Sequence, residues 1–338
     1  MRIAFFEIKG WEKPFLRRML KEHELEFFKE PLTLDTANLA KQYSVVSVFI
    51  YSKITRELLK KLPKLKLLVT RSTGFDHIDI NACKKHGIVV CNVPYYGENT
   101  VAEHTFALIL SISRNIHKSY LRTLRNDFSI EGLKGFDLMG KTLGVIGTGH
   151  IGLHVIRIAK GFSMRVLAYD IHPNTVAAEV LGFRYVSMEQ LLKKSDIITL
   201  HVPYNKHTHH LINKHTIKLM KRGAILINTS RGGVVDTEAL IEALDSGILA
   251  GVGLDVLEGE DLIKEEKQLL YDKANLEKLA QLVKDHILLS RDNVVFTPHI
   301  AFYSQEALER ILATTVQNII AFLRGKPENT VVVNQQSS

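Results

Sequence analysis

Short apolar runs rich in β-branched residues alternate along the chain with segments whose apolar positions recur every three or four residues. The first series places strands at residues 2–6, 45–50, 67–70 and 88–91, with amphipathic helices such as 14–21 and 55–62 between them. A second series begins at Thr142 and places six strands at residues 143–146, 166–169, 197–201, 224–227, 252–254 and 294–296. Strand-helix alternation of this kind implies parallel sheets covered on both faces, so two doubly wound α/β domains are expected. Residues 101–124 read as one long helix, apolar on nearly every face in its first half, which suits a buried crossing or a subunit contact. Residues 262–289 read as a charged helical insertion on the surface of the second domain. Residues 306–323 read as a last amphipathic helix, stopped by Gly325 and Pro327.

Length and composition narrow the class. With 338 residues the chain is too long for one ordinary core, and 46% apolar with 24% charged residues argues against disorder. No signal-like start and no apolar run long enough to span a bilayer are seen, so a cytoplasmic protein without a membrane partner is expected. Cys83 and Cys91 are too few for a disulfide framework or a zinc site and are read as reduced structural thiols. The net charge of +8 suits an anionic ligand, but the basic residues are scattered and form no stripe, which disfavours nucleic acid. His201, His207, His209, His210 and His215 lack paired metal-ligand spacing and are read as loop histidines, so no metal is expected.

The strongest motif is TLGVIGTGHIG, in which Gly147, Gly149 and Gly152 form G-x-G-x-x-G between a strand and a helix. Gly147 permits the tight turn, Gly149 lets backbone approach a pyrophosphate, and Gly152 lets helix and strand pack closely. The helix opening at His150 and Ile151 offers its amides and its positive dipole end to the phosphates. Asp170 follows at the end of the next strand, where a carboxylate holds ribose hydroxyls and repels a 2′-phosphate, so the cofactor expected is NAD. GFDLMGKT (135–142) matches the P-loop pattern by letter but runs from a polar loop into a strand, with no helix to supply amides, and is set aside.

The blocks NVPYYGENTVAEHTFALIL (92–110), HVPYNKHTHHLIN (201–213), NTSRGGVVDTEAL (228–240), GLDVLEGE (253–260) and TPHIAFYS (297–304) resemble, in order, those of the D-isomer-specific 2-hydroxyacid dehydrogenases. The spellings GLDVLEGE and HIAFYS are most similar to the D-lactate dehydrogenase branch. The resemblance covers most of the chain. It implies a Rossmann-type NAD-binding domain at 101–299 and a flavodoxin-like substrate domain at 1–100 and 300–338, a homodimer, and catalysis in the cleft between the domains.

The resemblance also implies roles that suit the residue types. Arg231 would hold the 2-oxo acid through its planar, permanently charged fork. His299 would give a proton to the carbonyl oxygen and retake it, and Glu260 would favour the protonated imidazole. Ser72, Thr73 and Gly74 would offer amides to the substrate carboxylate, and Tyr96 and Phe302 would wall its side chain. Val202, Pro203, Thr208, Thr229, Ser230 and Asp255 would line the cofactor, with Asp255 near the carboxamide. The partner is then a small 2-oxo or 2-hydroxy acid, with pyruvate reduced to the D-acid first among candidates. Bulkier 2-oxo acids and glyoxylate are the alternatives within the fold, and an NAD-sensing corepressor-like protein is the alternative outside it. The stretch between Glu260 and His299 is longer than the branch pattern, which puts Glu260 most at issue.

Overall fold

The computed structural model describes residues 1–259 and 276–331, with backbone alone at 276–279. The chain divides into two compact units, one comprising Met1–Tyr96 together with the stretch from Ser304 onward, the other Gly97–Tyr303.

Among its described residues the first unit carries five parallel strands, β1 (Arg2–Phe5), β2 (Glu24–Phe27), β3 (Val45–Val48), β4 (Leu67–Thr70) and β5 (Val89–Cys91). Their order is β2-β1-β3-β4-β5, the flavodoxin-like winding. β3 and β4 are buried along their whole length, as strands covered on both faces must be. β2 is the strand the apolar pattern misses. It reads ELEF, pairs with β1 alone and turns Glu24 and Glu26 to solvent, so its signal is that of a charged edge. The C-terminal helix Gln305–Leu323 returns to this unit, capped by Ser304, whose hydroxyl accepts the Ala307 amide. Gly325 then takes φ +75°, which ends the helix.

The second unit carries β6 (Thr142–Ile146), β7 (Arg165–Tyr169), β8 (Arg184–Tyr185), β9 (Ile197–Leu200), β10 (Ala224–Asn228), β11 (Leu249–Leu254) and β12 (Val294–Phe296). All pairings are parallel, in the order β12-β11-β10-β9-β6-β7-β8. This is the Rossmann winding with one further strand, and its switch point falls between β6 and β9. The apolar pattern gives six of these strands. β8 has two residues and an exposed start, too little for a periodicity to register.

One further expectation is corrected, and another lies partly outside the described residues. The single helix expected at 101–124 is two, Glu98–Ser113 and Ile116–Thr123. Asn115 between them is left-handed at φ +51°, and its side-chain amide donates to the carbonyls of Leu133 and Lys134. The Phe136 amide takes the Ser113 carbonyl at 2.9 Å, and a Cβ on Gly135 would lie 2.2 Å from that oxygen. A crossing strand of backbone thus replaces the helical hydrogen bonds at the break, and apolar periodicity carries no trace of it. The insertion expected at 262–289 lies outside the described residues up to 275. Its remainder is the helix Leu276–Leu289, which buries Leu282 and Leu288 on one face and exposes Val283 and Ile287 on the other. Among the described residues no helix is long and apolar enough to cross a membrane. Both cysteines are buried free thiols, their pKa pushed by burial up to about 12 at Cys83 and about 11 at Cys91.

Candidate active site

The glycine loop follows β6 at the switch point. Gly147 has φ +91°, and a Cβ there would meet the His201 carbonyl oxygen at 2.5 Å. Gly152 packs its helix onto the loop so closely that a Cβ would lie 2.1 Å from the Gly147 oxygen. Gly149 differs from both. It is extended, at φ −66° and ψ −169°, and a Cβ there would meet nothing within 4 Å. Bare backbone facing open space at the start of the helix His150–Gly161 is the cradle a pyrophosphate requires. His150 opens that helix exposed to solvent, and Ile151 beside it is half-buried.

Asp170 stands just past β7, half-buried. Burial pulls its carboxyl upward, but the amides of His172 and Thr148 and the Thr148 hydroxyl outweigh this and hold it below the usual range. The Thr148 amide donates to Oδ2 at 2.6 Å and the His172 amide to Oδ1 at 2.9 Å, so the acid is ionised and also braces the glycine loop. Val202 and Pro203 follow β9. The Thr208 hydroxyl donates to the Pro203 carbonyl at 2.6 Å and folds the loop between them. His201, at the end of β9, is driven by burial down to about 3 and is neutral.

Arg231 lies past the C-terminal end of β10. The buried Asn228 organises the turn, accepting the Ser230 amide and hydroxyl on Oδ1 and donating to the Arg231 carbonyl. Thr229 is buried against Thr105, their hydroxyls 3.0 Å apart. Gly232 then crosses the backbone of Leu257 and Glu258, where a Cβ would lie 1.9 Å from the Leu257 oxygen. Only glycine fits, and this crossing sets Arg231 beside the segment that follows β11.

Asp255, at the end of β11, is 1% exposed. Its Oδ1 accepts the Thr297 hydroxyl at 2.5 Å and the Ile300 amide at 2.9 Å, and its Oδ2 accepts the Ala301 amide at 2.9 Å. Its carbonyl takes the His299 amide at 2.9 Å. The turn after β12 is therefore wrapped around Asp255. His299 projects from it with a left-handed backbone, φ +55°, a strained setting for a residue with a Cβ. Phe302 sits edge-on to the His299 ring, centroids 6.5 Å apart. Glu260 lies outside the described residues.

In the first unit, Ser72, Thr73 and Gly74 form the turn beyond β4. The Ser72 hydroxyl donates to the Gly74 carbonyl at 2.7 Å, and the Thr73 hydroxyl to the Val93 carbonyl at 2.9 Å. Tyr96 closes the segment running from Val93, its carbonyl held by Arg310.

Several residues that shape these loops escaped the sequence reading. Arg71 is buried beneath the Ser72 turn, its guanidinium donating to the Phe6 and Glu7 carbonyls and to Ser47. His104 reaches Thr297, with Nε2 and Oγ1 2.8 Å apart. Arg71 closes the apolar run of β4 and His104 shortly precedes the run at 106–110, where a polar residue is itself the available signal. His209 and His210 stack at 3.9 Å, and His210 pairs with Glu258 at 2.6 Å. Among the described residues no group of three or more His, Cys, Asp or Glu side chains is placed to hold a metal ion.

Comparison with known proteins agrees with this geometry. Residues 106–301 match the family model described as D-isomer specific 2-hydroxyacid dehydrogenase, NAD binding domain. The chain is 40% identical to a 2-hydroxyacid dehydrogenase homolog of Haemophilus influenzae over 98% of this chain and 99% of the relative. It is 39% identical to D-lactate dehydrogenase of Escherichia coli over 96% and 98%. Among solved structures, D-lactate dehydrogenase of Aquifex aeolicus in complex with NAD and lactic acid superposes with a TM-score of 0.87, at 41% identity, covering 98% of this chain and 100% of that one.

Proposed function

The chain belongs to the D-isomer specific 2-hydroxyacid dehydrogenase family, an NAD-dependent oxidoreductase of CH–OH groups, and we propose that its reaction is reduction of pyruvate to D-lactate. The observation that carries the reading is His299, held left-handed past β12, in the same sheet that presents Arg231 past β10 and an open glycine cradle past β6. NADH supplies the hydride. Gly147, Gly149, His150, Ile151 and Gly152 hold its pyrophosphate and Asp170 its ribose. Val202, Pro203, Thr208, Thr229 and Ser230 line the remainder of the cofactor.

Arg231 binds the carboxylate and carbonyl of the 2-oxo acid, pre-organised by the Asn228 turn. His299 donates a proton to the carbonyl oxygen as it becomes an alkoxide, and retakes it in the reverse direction. Glu260 is assigned the family role of favouring the protonated imidazole. Ser72, Thr73 and Gly74 are assigned to the carboxylate, and Tyr96 and Phe302 to the substrate side chain. Asp255 has one lone-pair direction on Oδ2 to spare beside the Ala301 amide, which suits a carboxamide donor.

The assembly we assign is a homodimer. Ile116, Tyr120, Leu121, Leu124, Phe128 and Ile130 are all more than half exposed along one helix and the loop after it. A second copy of the chain is the occupant chosen for such a row. Ile130→Asp should convert a dimeric light-scattering mass to a monomeric one. The compartment we assign is the cytoplasm, a reading that use of NADH and two buried free thiols support.

The decisive experiment follows NADH oxidation at neutral pH with pyruvate, 2-oxobutyrate, phenylpyruvate and glyoxylate offered separately, with the product's chirality typed and His299→Ala alongside. Turnover of pyruvate to the D-acid, lost in the variant, is expected. Turnover on the larger acids alone would keep the mechanism and overturn pyruvate.

A further inference from the structure

The helix Glu98–Ser113 lies against β11 in a regular register. A Cβ on Gly251 would meet Ile112 at 2.9 Å, and one on Gly253 would meet Leu108 at 3.0 Å. His104 meets Asp255 next, Nε2 to Oδ1 3.5 Å. Each step is four residues back along the helix and two forward along the strand. A helix advances about 6 Å over four residues and a strand about 6.6 Å over two, so the register holds to the strand's end. The two glycines let the helix close on the sheet, and the third step places an imidazole where the strand delivers its acid.

The protons of this contact can be assigned. The Thr297 hydroxyl has one hydrogen, and at 2.5 Å from Asp255 Oδ1 it must give it to the carboxylate. The Thr297 oxygen then accepts from His104 Nε2 at 2.8 Å, so His104 carries its proton on Nε2. Burial, only partly offset by Asp255, lowers the His104 pKa, so the ring is neutral at pH 7 and the tautomer matters. The chain of donors runs His104 Nε2–H to Thr297 Oγ1–H to Asp255 Oδ1. Beyond it, Asp255 takes the amides of His299, Ile300 and Ala301 on its carbonyl and carboxylate. The next residue of the helix continues the pattern. Thr105 donates its hydroxyl to the Val101 carbonyl, so its oxygen accepts from Thr229, two residues before Arg231.

We propose that His104 is a positioning residue for the hydride-transfer chemistry: through Thr297 and Asp255 it fixes the turn that holds His299, while its neighbour Thr105 anchors the turn that holds Arg231. One turn of one helix thereby sets the spacing of both groups. The inference rests on the assignment of His299 and Arg231 given above. Misplacement of a reacting group by an ångström costs up to about 100-fold in rate.

The test compares His104→Leu, His104→Gln and Thr297→Val with wild type. Gln places an amide N–H near the Nε2 position, whereas Leu keeps volume without a donor. His104→Leu and Thr297→Val should lower kcat about 10- to 100-fold on whichever 2-oxo acid the wild type reduces. NADH affinity, read by fluorescence, should fall less than kcat does, and His104→Gln should recover most of kcat. Wild-type kcat in His104→Leu, or equal loss in the Gln and Leu variants, would overturn the proposal. Nitrogen-15 NMR of the imidazoles gives a readout independent of turnover. The wild type should show His104 protonated on Nε2, and Thr297→Val should move the His299 ring resonances at fixed pH. A bare Nε2 on His104, or His299 resonances that do not move, would overturn it even if His104→Leu fails to fold. Failure of the wild type to reduce any 2-oxo acid would instead overturn the proposed function, and the NMR result would still decide this inference.

Discussion

Gly149 and Gly152 belong to one motif and stand three residues apart, yet opposite consequences follow from giving each a methyl group. At Gly152 the added Cβ lies 2.1 Å from the Gly147 oxygen, and ordinary contact begins at 3.4 Å, so helix and loop must part by about 1.3 Å. Overpacking of backbone on backbone costs roughly 1–3 kcal/mol. For a domain of about 200 residues each kcal/mol lowers Tm by about 2–4 °C, so Gly152→Ala should melt about 2–12 °C below wild type. At Gly149 the Cβ meets nothing within 4 Å, and φ −66° suits alanine. Restricting the unfolded chain should leave Tm level or slightly raised, since such replacements stabilise by about 0.4–1 kcal/mol. The methyl group would instead stand in the space kept for the pyrophosphate. A loss of about 1.4–2.8 kcal/mol, or 10- to 100-fold in Kd, is expected for NADH. Dye-monitored melting without cofactor and NADH fluorescence titration read the two quantities separately. A Gly149→Ala protein that binds NADH as wild type does, or that melts as low as Gly152→Ala, would refute the assignment of the cradle.

Three further outcomes follow from the same geometry. Gly232→Ala drives a Cβ to 1.9 Å from the Leu257 oxygen, so it should lower both Tm and kcat/KM for the 2-oxo acid, with NADH affinity spared; unchanged kcat/KM would detach Arg231 from that crossing. Asp170→Ala should shift the NADH-to-NADPH ratio of kcat/KM toward NADPH by about 10- to 100-fold, because a carboxylate no longer faces the 2′-phosphate. Absolute NADH turnover should fall too, since Asp170 also accepts the Thr148 amide. Asp285 is fully buried and raised by that burial from 3.8 to about 7, so the fold favours its protonated form. Its raised pKa makes that benefit complete below about pH 4 and lost as pH climbs through 7. Asp285→Asn should therefore match wild type near pH 4 and exceed it above pH 7, by up to roughly 4 kcal/mol in unfolding free energy. Parallel pH–stability curves for the two proteins would exclude this.

What was legible in the sequence was what repetition or motif makes redundant. β3, β4, β9 and β10 are apolar on both faces because both faces are covered, so their runs stand out against the helices. β2 and β8 lie at sheet edges, where one neighbour suffices and charge is tolerated, and they leave no such run. The helix break at Asn115 was hidden for a related reason. Its cause is Gly135, twenty residues onward, whose missing Cβ admits the Phe136 amide to Ser113. A local pattern records what a residue packs against on average, and a single close crossing of backbone changes two residues without altering any period.

The site divides along the same line. Gly147, Gly149 and Gly152 were readable as a strand–turn–helix junction because three bare positions at fixed spacing mark it, and Arg231, Asp255 and His299 were readable as strand-end residues because they fall within recognisable blocks. His104 stands inside one of those blocks, where helical periodicity ranks it only as a polar interruption. Its partners lie about 150 and 190 residues away, and they meet it because Gly251 and Gly253 let the helix settle on β11. Those glycines were readable as part of a strand but not as the reason a helix lies close to it. The residues that do the chemistry are set by the substrate and repeat across a family's motifs. Those that hold them in place are set by the packing of elements far apart in the chain, and that register becomes visible when helix and strand are laid side by side.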